Sequence, residues 1–98
     1  MTRIVWSSEA ADELEEAHRW YAERSPAAAD GFADEVVRAL AEIEEAPARW
    51  AIAGHGTRRF SLRRFPFTLV YRWQPDGGVV ELIAVAHGKR RPGYWRDR

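Results

Sequence analysis

A chain of 98 residues with 46% hydrophobic and 31% charged side chains is too apolar to be a disordered segment, and its length fits one domain spanning residues 1–98. It has no cysteine and only three histidines, scattered without ligand spacing, so disulfides are excluded and neither a metal nor another cofactor is expected. The formal charge of zero conceals an asymmetry: residues 1–50 hold 12 carboxylates and five arginines (net −7), while residues 51–98 hold three carboxylates and ten cations (net +7). A basic half of this kind suits nucleic acid or an acidic protein partner. No apolar run approaches the roughly 18 residues of a membrane helix, and the acidic first third does not resemble a signal peptide, so a cytoplasmic protein without a membrane partner is expected.

Thr2–Trp6, "TRIVW", is a β-branched and aromatic run that reads as a first strand. Ser7-Ser8 then offers a helix cap. From Glu9 to Arg24, Ala11, Leu14, Ala17 or His18, and Tyr21 recur at helical spacing, with carboxylates on the other faces. Ser25-Pro26 supplies a second cap and an N1 proline, and Phe32, Val36, Leu40 and Ile43 make the stripe of a second helix that Pro47 ends. With almost no loop between them, the two stripes are most economically buried as an antiparallel hairpin. The stretch "ARWAIAGHGT" has no clear period and is read as a loop. Its Gly54-His55-Gly56 is too short for a phosphate loop and precedes no capped helix.

Beyond it the period becomes two. Phe60 and Leu62 alternate with Arg59, Ser61 and Arg63, and Phe67, Leu69, Tyr71 and Trp73 with Thr68, Val70 and Arg72. Gln74 to Gly78 is a turn signal, and "VVELIAVA", Val79–Ala86, is apolar enough to be a central strand. The expected fold is therefore α+β in the order βααβββ: a small antiparallel sheet with an N-terminal helical hairpin on one face, and strand one beside the last strand.

Three stretches, "ADELEEAHRWYAERSPAAADGF", "RRFPFTLVYRW" and "ELIAVAHGKRRPGYW", in this order of elements, resemble the RelE/ParE superfamily of type II toxin–antitoxin toxins, also known as plasmid stabilisation proteins. The resemblance implies a bacterial growth inhibitor neutralised by a cognate antitoxin, with operator DNA bound only through that antitoxin. It leaves two targets. ParE-like members poison DNA gyrase without catalysis, while RelE-like members are metal-independent endoribonucleases that cut mRNA on the ribosome.

A metal-free ribonuclease needs a base for the 2′-hydroxyl, cations for the phosphate and an acid for the leaving oxygen. Its candidates here are Arg64, Arg72, His87, Lys89 and Tyr94, with His87 the one side chain that ordinarily titrates near neutrality. The middle strands carry arginine but no lysine, and arginine is a poor proton acceptor, which favours the non-enzymatic, ParE-like reading. Helix one offers no inward-facing carboxylate pair for acid–base work. Under the ParE-like reading, Arg59, Arg63, Arg72, Lys89, Arg90, Arg91 and Trp95 are candidates for partner binding. Tyr94 and Trp95 are also expected to pack on the sheet and pin the tail.

Overall fold

The computed structural model describes residues 2–98. Strand β1 (Arg3–Trp6) leads into helix α1 (Ser8–Ala22), and helix α2 (Pro26–Glu45) follows after three residues. Four more strands complete the chain: β2 (Ala51–Gly54), β3 (Thr57–Ser61), β4 (Phe67–Gln74) and β5 (Val79–His87). Both helix starts are capped as their sequences require. Ser7 Oγ accepts from the Ala10 N–H at 3.1 Å, and Ser25 Oγ from the Ala28 N–H at 3.2 Å, with Pro26 at a position where no N–H is needed.

The sheet order is β1-β5-β4-β3-β2. The first strand does lie beside the last, but the pair is parallel, with Arg3 opposite Val79 and Trp6 opposite Leu82; the other pairs are antiparallel, so the sheet is mixed. The parallel sense follows from connectivity, because the helical hairpin carries the chain away from β1 across one face of the sheet. One further element departs from the expected loop at 48–57. Ala51–Gly54 forms a fifth strand, paired with β3 through a tight turn in which His55 (φ 53°) and Gly56 (φ 72°) are both left-handed. A two-residue hairpin turn of type I′ needs positive φ at both central positions, which Gly56 adopts freely and His55 at some strain. This conformational signal, not hydrophobic period, is what marks the hairpin.

The core forms where the helices meet the sheet. Ala10, Ala17, Phe32, Val36, Ala39 and Ile43 pack on Leu62, Leu69, Tyr71, Val80, Leu82 and Val85, the alternation expected for β4 placing Phe67, Leu69, Tyr71 and Trp73 towards the helices. Tyr21, Phe32, Phe65 and Phe67 form an aromatic cluster with centroid separations of 5.1–6.4 Å. Such edge and tilted contacts add to the area that these rings bury.

Candidate functional site

The sheet's second face, away from the helices, is organised by an irregularity in β5. Pairing with β4 passes from Val70–Ala84 to Tyr71–Leu82, leaving Ile83 as the extra residue of a bulge. Ile83 and Ala84 consequently both join Val70 on the second face, and Trp95 closes over all three, itself 7% exposed. The near-continuous apolarity of β5 thus serves two cores on opposite faces.

The same region leaves an edge to be satisfied. β1 ends at Trp6, opposite Leu82, so β5 has no strand neighbour on that side from Ile83 onward. Side chains take the place of a strand. The Val85 N–H donates to Glu13 Oε1 at 3.0 Å, while Arg98 Nη1 donates to the Ile83 carbonyl at 3.1 Å. Arg98 also grips Glu13 with both guanidinium nitrogens, at 2.8 and 3.0 Å, and the Tyr94 hydroxyl donates to Glu13 Oε2 at 2.7 Å.

Burial works to raise the Glu13 pKa, but the hydrogen bonds from Arg98, Tyr94 and the Val85 N–H outweigh it, and the carboxyl lies below its ordinary value. Tyr94 moves the other way: burial first, then its bond to the Glu13 carboxylate, pushes the phenol up and keeps it protonated. One carboxylate of α1 thereby latches the C-terminal segment to the β5 edge.

Between the β2–β3 turn and residues 88–95 the second face opens into a cleft of about 440 Å³, lined by Arg59, Arg90 and Arg91 together with His55, Thr68 and Trp95. The Arg90 guanidinium stacks on the Tyr94 ring at 3.9 Å, and that of Arg98 lies 5.0 Å from it. With no carboxylate among its lining residues, the cleft suits an anionic group by simple electrostatics.

A model of the ParE toxin of type II toxin–antitoxin systems, parDE, matches residues 4–92. The chain belongs to the ParE toxin family. Among solved structures, one described as the chromosomal ParDE TA system from P. aeruginosa superposes with a TM-score of 0.74. That match has 20% sequence identity and covers 89% of this chain and 96% of that one, so it shows a shared fold. No curated protein sequence matches.

Within this ParE fold the ribonuclease candidates converge only in part: His87 and Tyr94 line the cationic cleft together and His87 and Lys89 the cleft beside α1, while Arg64 and Arg72 lie elsewhere. Arg64 sits near α2, where the Glu35 carboxylate accepts from the main-chain N–H groups of Arg63 and Arg64 and pairs with Arg64 Nε at 3.4 Å. Arg72 is on the second face, opposite Glu81, donating to the Arg98 carbonyl at 3.2 Å. His87 ends β5 opposite Phe67, its ring edge-on to that phenyl at 5.0 Å. Its Nδ1 accepts from the Lys89 N–H at 3.0 Å. In the neutral ring the proton must then lie on Nε2, and the lone pair that a general base needs is already engaged. Tyr94 is committed to Glu13.

The partner-binding candidates divide similarly. Arg59, Arg63, Lys89, Arg90 and Arg91 are exposed, Arg72 is turned to the tail, and Trp95 packs inside, as its tail-pinning role requires, leaving little surface for a partner. Lys89 opens onto a different cleft, shared with Glu13, Glu16 and Trp20 of α1. Two residues escaped the sequence reading. Glu13 falls three residues after Ala10 and four before Ala17, on the buried stripe itself, so its inward aim was available from the spacing. Glu35 lies one residue before buried Val36 and beside the covered face in the same way.

Proposed function

We propose that this ParE-family toxin acts by protein contact, inhibiting DNA gyrase, and is neutralised by a cognate antitoxin that docks an acidic segment on the cationic second face. The observation that carries the non-enzymatic reading is the engagement of His87 Nδ1 by the Lys89 N–H, together with the separation of Arg64, Arg72 and His87 onto different parts of the fold. Recognition needs exposed charge and shape, which Arg59, Arg90 and Arg91 supply at the cleft; catalysis needs a free base close to its stabilising cations. Lys89 and Arg63 are exposed cations outside that cleft, Lys89 on the cleft beside α1 and Arg63 next to Glu35 of α2. Operator DNA is contacted through the antitoxin, since no helix of the described residues presents a basic face to a groove.

The test is a supercoiling assay with purified gyrase and this chain, alongside the His87→Ala variant. Inhibition retained in the variant, with ribosome-bound mRNA left intact, supports the proposal. Cleavage of mRNA that is lost in His87→Ala would replace it with the ribonuclease reading.

A further inference from the structure

We infer that the free edge of β2 is a docking edge for an extended acidic segment of a partner protein, which adds to the sheet as a sixth strand. β2, "AIAG", is the outermost strand on its side of the sheet and contains no charged residue and no proline. Its central Ile52 is 74% exposed, more than any other large hydrophobic side chain among the described residues. Natural sheets guard such edges with charge, proline or cover, because unpaired N–H and C=O groups invite another strand. The opposite edge follows that practice better: β1 carries Arg3, and its Ile4, Val5 and Trp6 are each partly covered.

What surrounds β2 selects the occupant. From Ala46 to Pro75 there is no carboxylate, while Arg49, Arg58, Arg59, Arg63, Arg64 and Arg72 all fall in this stretch. Arg58 is opposite Ile52 and Arg59 opposite Ala51, so the hairpin carries a cation on each face of the sheet beside the edge, Arg59 exposed and Arg58 half-buried with its Nη1 donating to the Trp50 carbonyl at 2.8 Å. A second copy of β2 would bring like charges together across the new pairing, which is unfavourable. An acidic strand would place its carboxylates against Arg58 on one face and Arg59 on the other, with an apolar residue on Ile52. RNA could answer the charge but not the backbone edge. β2 is also short, four residues, with a register shift between Ile52 and Gly54, so backbone pairing alone is weak and charge complementarity must supply the remainder.

The proposal deepens the reading of a neutralising acidic partner but does not depend on gyrase as the target. Its test is an NMR titration of the isotope-labelled full chain with a capped peptide of about nine residues in which Glu falls at both odd and even positions among Val and Thr, so that carboxylates reach both faces, a typical strand length with margin. Two control peptides carry Lys for Glu, or proline at alternate positions with the charge retained. The expected result is shift changes confined to Ala51–Gly54 and the adjoining Arg58 and Arg59 with the first peptide alone. Ile52→Glu, at a position exposed enough to leave the fold intact, should weaken that binding by about five-fold through like-charge repulsion and lost apolar contact. Equal shifts with the proline peptide, shifts centred on residues 88–91 instead, or self-association of the chain that Ile52→Glu abolishes would each overturn the inference. Gyrase inhibition is measured without peptide, so either proposal can fail while the other stands.

Discussion

Replacing Glu13 by alanine removes the acceptor shared by the Val85 N–H, the Tyr94 hydroxyl and both arms of Arg98. The Glu13 and Arg98 side chains are 15% and 20% exposed, so solvent screens the pair less than an ordinary surface bridge. A hydrogen bond to a charged group contributes about 1.5–3 kcal/mol, but Arg98 and Tyr94 can partly recover by turning to water. Val85, 3% exposed, has no such recourse for its N–H. The loss should therefore total about 2–3 kcal/mol, and a domain of this size responds with a fall in Tm of about 10–20 °C. Urea denaturation followed by circular dichroism measures it, with Glu15→Ala as control; the exposed Glu15–Arg19 pair should contribute no more than about 0.5 kcal/mol. Tyr94→Phe should cost about 1 kcal/mol in the wild type and much less in a Glu13→Ala background. Losses no larger than the control, or strict additivity of the two variants, would refute the account of Glu13 as the latch.

The same carboxylate predicts a pH signature, because a folded-state pKa held below the unfolded one stabilises the fold above the ordinary carboxylate value and loses that contribution as pH falls through the folded value. Stability curves of the wild type and Glu13→Gln should accordingly lie apart at neutrality and converge in acid. At the β2–β3 turn, His55→Gly should stabilise by about 0.5–1 kcal/mol if relief of positive φ exceeds loss of the 6.3 Å contact with Trp95, readable as a rise in Tm. Phe32→Ala empties the middle of the aromatic cluster and should cost about 3–5 kcal/mol in a denaturation experiment. For the cationic cleft, Arg59→Glu and Arg90→Glu should each weaken antitoxin binding, and the wild-type affinity should fall with added salt; calorimetry at two ionic strengths checks both.

Much of the architecture was legible because it rests on periodicity. The stripe Phe32–Val36–Ile43 and the alternation Phe67–Leu69–Tyr71–Trp73 are buried as their spacing dictates, and the Ser7 and Ser25 caps begin their helices where the hydroxyls are needed. β2 was not legible for a physical reason. An edge strand of four small or exposed residues buries too little to show a period, and its existence depends on the His55-Gly56 turn and on β3 already being in place. The bulge at Ile83 was hidden in a similar way, since a strand apolar on both faces looks the same with or without one extra residue.

The candidate site was legible as charge and illegible as connectivity. Consecutive cations from Lys89 to Arg91 announce a basic turn, yet nothing in their order says that Arg90 lies on the Tyr94 ring or that Lys89 faces the cleft beside α1. Those positions follow from a long-range partner, Glu13, 81 residues from Tyr94 in sequence. A carboxylate in an acidic helix is easily taken for solvated surface. Here its place between Ala10 and Ala17 points it at the one stretch of β5 that β1 leaves uncovered, and the tail is held there because an edge N–H, a phenol and a guanidinium all need the same acceptor. The cationic turn is thus fixed at both ends, by His87 at the strand and by Tyr94 at the latch. A turn so held can present Arg90 and Arg91 to a partner without the ordering cost that a free loop would incur on binding.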